Sequence, residues 1–401
     1  MNNFLGWFLP SLLLALGIYA YVLYPLILRL LSALEDVPAV TSMRELPFVT
    51  IVVPAYNEEH QISGAIEALL AQTYPADRLQ ILILSDASTD RTDEIVRGYA
   101  ARGVELMRAP VRAGKTAAEN ASCALIRGTI VVNTDASIRL HPDCTRQLVM
   151  HMADPSVGVA SSRDVSIAHA HASANEMETG YVDYEMMVRA LETRTGGIVG
   201  ASGSGYAIRA DLHRIPIRED LSRDFSAALT ARTHGYKSVS VDEAICYVPR
   251  TSSLSREYRR KVRTISRGME TLDCNRHLLD IERYGAFAWK LISHKVLRWA
   301  IPHAAVPGLI GLIILSGQNW LDAVLGAGGL AICLLTLYVS RAPEERRFPR
   351  PVSIIAFGVA ANVAVIHATW RFLHGHEDHI WEPTRRTIGV EPPSQSTSTV
   401  G

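Results

Sequence analysis

The sequence predicts an α/β domain with a mainly parallel sheet, flanked by uncharged apolar segments that read as transmembrane helices. Three observations lead there. Between residues 45 and 280, short β-branched runs alternate with longer polar stretches of helical period. Acidic residues follow directly on those runs. The apolar excess of a chain that is 48% hydrophobic collects at its two ends. Repeated strand–helix units give a parallel sheet covered on both faces, and ligands of such sheets sit beyond the carboxyl ends of the strands.

Taken in order, the first element is an anchor over residues 1–34. No side chain from Met1 to Leu28 is charged, and Arg29 is the first that is. A span needs about 20 apolar residues, and Trp7, Tyr19, Tyr21 and Tyr24 are placed as interfacial anchors. The stretch is too long for the apolar core of a cleaved signal peptide. The soluble unit, residues 45–280, opens with a strand at Phe48–Val53, stopped by Pro54. A helix over Glu58–Gln72 follows, with Ile62, Ala65, Ile66, Leu69 and Leu70 on one face. Leu79–Leu84 is a second strand running into Ser85–Asp86. Asp90–Arg102 reads as a helix capped by Thr89 or Asp90. Val104–Arg108 is a weaker strand, Thr116–Ile126 a helix, and Thr129–Val132 a core strand ending at Asn133-Thr-Asp135.

Three uncharged stretches follow near the other end, at Trp299–Leu321, Ala323–Ser340 and Pro351–Trp370. The first two form a hairpin through Gly317-Gln-Asn319. The third is preceded by Arg341–Arg350, whose four arginines the positive-inside rule assigns to the cytoplasm. Residues 286–300 mix Trp289, Leu291, Ile292, Val296 and Leu297 with Lys290, Lys295 and Arg298. That pattern suits either an interfacial helix or the start of the next span. The apolar helices then occupy 301–374, and 375–401 is a polar tail, rich in Pro, Ser and Thr after Gly389.

Composition excludes several classes. Forty Lys+Arg balance forty Asp+Glu, so nothing marks a binder of nucleic acid. Five scattered cysteines without a Cys-x-x-Cys pair fit free thiols, not a disulfide framework or a zinc site. No Gly-x-Gly-x-x-Gly follows the first strand and no P-loop occurs, so dinucleotide and P-loop readings fail. The fourteen histidines form no metal cluster in sequence; His374, His376 and His379 read as a polar loop.

The acids remain. Glu58 and Glu59 follow the first strand, Asp86 and Asp90 the second, Asp135 the third. Helix capping accounts for Asp90, but carboxylates on three loops at one sheet edge also make a place for a divalent ion and a diphosphate. Here the chain resembles a family. Pro54-Ala-Tyr-Asn-Glu-Glu59, Ser85-Asp-Ala-Ser-Thr-Asp-Arg-Thr92, Gly114-Lys115 with Asn120, Asn133-Thr-Asp-Ala-Ser137, Gly200-Ala-Ser-Gly-Ser-Gly-Tyr-Ala-Ile-Arg209 and Arg223-Asp224 come in the order seen in inverting family 2 glycosyltransferases. The membrane layout is similar to the branch that makes hyaluronan, chitin, cellulose and poly-N-acetylglucosamine.

The resemblance implies a GT-A type fold and assigns roles. Pro54, Ala55, Tyr56, Glu58 and Asp86 would hold the nucleobase and ribose of a nucleotide sugar, with Lys115 near its phosphates. Asp135 would bind Mg²⁺ or Mn²⁺ on the diphosphate. Ser137, a weaker donor, stands where the family has a second acid. Asp224 would be the base that takes the acceptor's proton during inversion, with Arg223 in place of the family's Glu and placed to lower the Asp224 pKa. Ser202 and Gly203 would border the acceptor. The family's Gln-x-x-Arg-Trp is replaced by Arg259–Gly268, in which Arg260 and Arg263 share a helix face and would clamp the diphosphate, or rest on anionic lipid. Trp381, Thr384 and Arg386 resemble a gating loop, which requires a cytoplasmic position; one span before the domain and three after it would leave them outside.

The implied activity is a metal-dependent, membrane-bound glycosyltransferase that uses a nucleotide sugar, a UDP-sugar by this resemblance, to build a β-linked extracellular polysaccharide. Its catalytic domain would be cytoplasmic, and membrane lipids and an export partner subunit are its expected companions. Two alternatives stay open. One is transfer of a single sugar to a polyprenyl phosphate or other lipid, which the missing Gln and Trp favour. The other is a non-catalytic scaffold or export subunit, against which Asp86, Asp135 and Asp224 argue.

Overall fold

The protein is described by a computed structural model over residues 2–34, 45–167, 173–249, 254–315, 320–342, 346 and 348–375. The chain enters through one continuous apolar helix, α1 (Asn2–Ile18) and α2 (Tyr24–Ser32) joined by a π turn. Strand and helix then alternate: β1 (Val49–Ala55), α3 (Ile62–Leu70), β2 (Leu79–Ser85), α4 (Thr92–Gly98), β3 (Val104–Arg108), α5 (Lys115–Ser122), β4 (Ile130–Thr134). The second half is less regular, with β5 (Arg139–Leu140), α6 (Cys144–His151), β6 (Val157–Ile167), α7 (Ser173–Arg194), β7 (Gly205–Arg209), α8 (Ala210–His213), α9 (Arg223–Thr233), β8 (Lys237–Pro249) and the basic α10 (Leu254–Cys274).

The strands form one sheet in the order β3-β2-β1-β4-β7-β6-β8-β5. β1, β2, β3 and β4 pair in parallel, as do β6 and β8. β7 runs antiparallel between β4 and β6, and β5 closes the edge against β8. Alternation along β1 divides the core. Val49, Ile51 and Val53 pack with Ile62, Ile66 and Leu148 on one face; Val52 packs with Val131, Ile208 and Ala227 on the other. Both faces are covered, so the strand reads as an unbroken apolar run. Each fully buried Ile or Leu contributes about 1.5–3 kcal/mol.

Two helices start later than periodicity predicts, for one reason. Glu58 and Glu59 donate their N–H groups to Thr92 Oγ1 (2.8 Å) and Asp90 Oδ2 (3.0 Å) of the next loop, so α3 begins at Ile62. Asp90 in turn accepts from the Thr92 N–H (2.9 Å), and α4 starts there. The amides expected in a first helical turn are satisfied across the site instead.

After α10 come α11 (Ile281–Tyr284) and α12 (Ala286–Leu291), the latter continuing through a π turn into α13 (Leu297–Leu315). α14 (Trp320–Arg341) and α15 (Arg350–Leu373) follow. Among the described residues, four helices are long and apolar enough to cross a membrane, at Ser11–Ser32, Ala286–Ile314, Trp320–Arg341 and Pro351–Leu373. Residues 286–300 are therefore continuous with the next apolar helix, and their first turns are buried against the domain. Lys290 donates to the carbonyls of Glu192 (3.0 Å), Thr195 (2.6 Å) and Gly197 (3.1 Å), satisfying the open end of α7. Trp381, Thr384 and Arg386, with the rest of the gating-like segment, lie outside the described residues.

Candidate active site

The loops after β1 and β2 are knitted together by side chains accepting from backbone. Asn57, at φ 54°, occupies the left-handed region that Asn tolerates. Its Oδ1 accepts from the Thr89 N–H at 2.8 Å, and its own N–H goes to Ser88 Oγ at 3.2 Å. Asp86 anchors the next loop: Oδ1 accepts from Ala113 N–H and Oδ2 from Gly114 N–H, each at 2.8 Å. Gly114, at φ 98°, leads into α5, whose first residue is Lys115. Asp86 thus positions Lys115. Tyr56, beside this loop, stacks under the Arg112 guanidinium, 3.7 Å from its ring centroid.

Lys115 reaches across to β4, with Nζ 2.5 Å from Asp135 Oδ1. Burial opposes its charge, but Asp135 and Glu119 outweigh burial and hold the ammonium above its ordinary pKa. Over this pair lies a cavity of about 400 Å³. Glu58, Lys115, Asp135 and Ser137 face it from the strand ends, Ser202, Gly203 and Asp224 from the other side, and Arg260 and Arg263 from α10. Nine residues picked out in the sequence, from six loops and helices, thus meet at one place. Pro54, Ala55, Tyr56 and Asp86 are not among those facing the cavity; Pro54 and Ala55 end β1 inside the sheet.

Asp224 sits in the first turn of α9, where the helix N-terminus favours a carboxylate. Ser222 Oγ donates to its Oδ1 at 2.5 Å. A Cβ on Gly203 would lie 3.0 Å from Asp224 Oδ2, so the glycine is what lets the loop approach this carboxylate. Arg223 does not serve Asp224 as its position suggested. Its guanidinium is buried against Asn120 Oδ1 (2.7 Å), the His213 carbonyl (3.0 Å) and Glu119 (3.5 Å). Arg223 thereby fixes α9 against α5. Burial raises the Glu119 pKa, and burial with Arg223 holds His213 well below its ordinary value.

On α10, Arg260 lies on the cavity wall while its guanidinium pairs with Glu257 at 2.8 and 2.7 Å. Arg267, which carried no expectation, also faces the cavity. It donates to the carbonyls of Glu219 (2.8 Å), Asp220 (3.0 Å) and Leu221 (2.7 Å), holding the loop that leads to Asp224. Asp164 was missed as a site residue too. It stands within β6 and accepts from Ser202 Oγ (2.8 Å) and Ser204 Oγ (3.1 Å), shaping the glycine loop. Its only sequence signal is a lone acid in a run of small strand residues.

The donor set suits a hard cation. Asp135 and Ser137 offer oxygen from neighbouring positions on one loop, and Mg²⁺ or Mn²⁺ is commonly held by one or two carboxylates plus substrate phosphates. Among the described residues no group of three or more His, Cys, Asp or Glu could hold a metal alone. The nucleotide would have to supply the remaining ligands.

The fold is of the GT-A type, a mixed sheet with its acidic loops at one edge. Residues 50–211 match the model of glycosyl transferase family 2. Among curated proteins the chain is 27% identical over 307 residues to a β-monoglucosyldiacylglycerol synthase of Synechocystis, covering 71% of this chain and 62% of that protein. It is 29% identical over 204 residues to an N-acetylglucosaminyltransferase of Rhizobium meliloti, 47% of each chain. A dolichyl-phosphate β-glucosyltransferase of Trichomonas vaginalis matches at 35% over 107 residues, 25% of this chain and 32% of that one. The chain thus spans less than two thirds of the length of these relatives. Among solved structures, a mannosyltransferase from Pyrobaculum calidifontis in complex with GDP-Man and Mn²⁺ superposes with a TM-score of 0.71 at 22% identity, over 92% of this chain and 100% of that one.

Proposed function

We propose that the protein transfers one sugar from a nucleotide sugar to a lipid acceptor at a membrane face, with inversion at the anomeric carbon. The observation that carries this reading is a second cavity of about 340 Å³. It shares Ser222, Asp224, Arg189 and Thr264 with the first, and continues to Pro302 of α13 and to Phe357, Ala361 and Val365 of α15. The apolar helices themselves form the far wall of the space next to the base. An amphiphile fits there, with its reacting group at Asp224 and its tail among the helices. The lipid acceptors in the names of two relatives support the same reading.

In the proposed reaction an acceptor hydroxyl attacks the anomeric carbon from the side opposite the nucleotide. Its proton passes to the Asp224 carboxylate as the bond to the diphosphate oxygen breaks. The nucleoside diphosphate leaves, its charge met by Lys115, which stays protonated at neutral pH, and by Arg263 and Arg267. Asp135 and Ser137 would hold a divalent ion, whose charge would add to that neutralisation. The proposal includes a multi-pass position in a cell membrane with the domain on the cytoplasmic side, supported by the arginines of Arg341–Arg350.

The test is incubation of the full chain in nanodiscs with a panel of radiolabelled UDP- and GDP-sugars and Mn²⁺. Label is expected in the organic phase, from one donor, as a single product. A high-molecular-weight ladder with an empty organic phase would overturn the lipid reading in favour of polymer synthesis.

A further inference from the structure

Charge accounting in the second cavity says more about the acceptor, on the footing of the lipid-transfer reading. Its polar wall carries Glu185, Arg189, Asp224, Arg260, Lys261, His294, Lys295 and Arg298. Most are spoken for. Glu185 pairs with Arg298 and with His294 Nε2 (2.9 Å), and Arg260 and Lys261 (3.7 Å) share Glu257. Arg189 reaches only Ser161 Oγ (3.5 Å) and the Ala201 carbonyl (3.4 Å). Lys295 lies over the Phe225 ring, 5.7 Å from its centroid, with its stem packed near Gly200. Among the described residues neither Arg189 nor Lys295 has a carboxylate within ion-pair distance, and Glu185 and Glu192 act on Lys295 only across a longer gap. Beside them stand Trp299, Pro302, Phe357 and Val365. Two cations bordered by apolar side chains without close counter-ions are costly unless the site takes an anion.

Either a phosphodiester or a phosphate monoester would meet these cations, whereas diacylglycerol carries no charge. A base at Asp224 further calls for an acceptor with a proton to give, which a phosphate dianion lacks. We propose that the acceptor is a phospholipid whose head group bears both a free hydroxyl and a phosphodiester: the hydroxyl meets Asp224, and the phosphodiester lies between Arg189 and Lys295. The hydroxyl oxygen bonds to the anomeric carbon, its proton goes to Asp224, and the nucleoside diphosphate departs with the electrons of the broken bond. Arg189 and Lys295 touch neither reacting atom; they select the head group.

The experiment offers the full chain, in zwitterionic phosphatidylcholine nanodiscs, three acceptors in turn: phosphatidylglycerol, diacylglycerol and a polyprenyl phosphate. The labelled donor is the one found active in the panel above. Phosphatidylglycerol is expected to be preferred, and Lys295→Gln and Arg189→Gln to cut its kcat/KM relative to diacylglycerol by about ten- to hundredfold, the scale of a lost charged hydrogen bond. Lys295→Arg should restore most of the preference, and melting curves of all variants report folding. Equal use of diacylglycerol by the wild type, or a ratio the substitutions leave unchanged, overturns the proposal. So does label confined to the polyprenyl phosphate, or a rise in donor KM at constant acceptor ratio, which would give the pair to the nucleotide. Polymer in place of any lipid product overturns the parent reading instead, and is told apart by its size.

Discussion

The two cavities that meet at Asp224 are built by different means. The proposed donor side is assembled from loops at adjacent strand ends, each tied by short-range bonds between a side chain and a backbone amide, such as Asp86 to Ala113 and Gly114 or Thr92 to Glu58. The proposed acceptor side is assembled from helices distant in sequence, held by buried polar contacts: Glu185 with Arg298, and Glu192 with His294 (2.7 Å) and Tyr24 (2.5 Å). The first arrangement comes with the sheet, and the family match at residues 50–211 covers it. The second lies largely beyond that match, in α9, α10 and the apolar helices. In the proposed reaction the first would hold the nucleotide and the second the acceptor.

The largest expected effect falls where the two sides join. Asp224→Asn removes the proposed base and little else, since Ser222 Oγ can still donate to the amide oxygen. Transfer should drop by about 10²–10⁴-fold, while nucleotide binding measured by calorimetry stays within about twofold. Unchanged turnover would take the base from Asp224; lost nucleotide binding would mean the two sides are not separable there.

On the donor side, Asp86→Ala leaves the Ala113 and Gly114 amides without acceptors and releases the turn that aims Lys115. A loss of about 1–3 kcal/mol is expected for buried donors left unmade. It should appear as weaker nucleotide binding together with lower thermal stability. Weaker binding at full stability would instead place Asp86 against the nucleotide itself, as its motif implies.

That ambiguity shows what the sequence carries and what it does not. Strands β1, β2 and β4 were legible because burial on both faces leaves an uninterrupted β-branched run. The loops were legible because Asn57, Asp86, Gly114 and Asp135 each answer a local demand of backbone or charge. Asp164 was not, because its partners Ser202 and Ser204 belong to another strand's approach. Arg189 and Lys295 were equally hidden: one lies on α7 and the other in the turn before α13, and no periodicity links them. Arg223 misled for the opposite reason. Its neighbour in sequence is Asp224, yet helix geometry sends the two side chains to different partners.

The acceptor side makes a third prediction, on the docking of the first apolar helix. Burial alone would raise the Glu192 carboxyl, but His294, Tyr24 and Lys290 hold it below its usual 4.5. A depressed carboxyl contributes stability that is present above the unfolded value and lost as pH falls through the folded one. The melting temperature should therefore be steady above about pH 4.5 and decline below it. Glu192→Gln should lower stability at neutral pH by about 1–3 kcal/mol and flatten the acid decline. An unaltered profile would mean that α2 and α7 are held by packing alone.

The smallest effect tests one departure in chemistry on the donor side. Ser137→Asp places a second carboxylate beside Asp135, facing the same cavity. A charged oxygen is a better ligand for a hard cation than a hydroxyl, so half-maximal activity should need several-fold less Mn²⁺. The variant must also admit a new negative charge near the diphosphate, and Lys115 is already committed to Asp135 at 2.5 Å. The gain in metal affinity should therefore exceed the gain in turnover at saturating metal. A variant no tighter for Mn²⁺, with wild-type activity in excess chelator, would give the charge neutralisation to Lys115 and the α10 arginines, and the two sides of the site would then rest on cationic side chains alone.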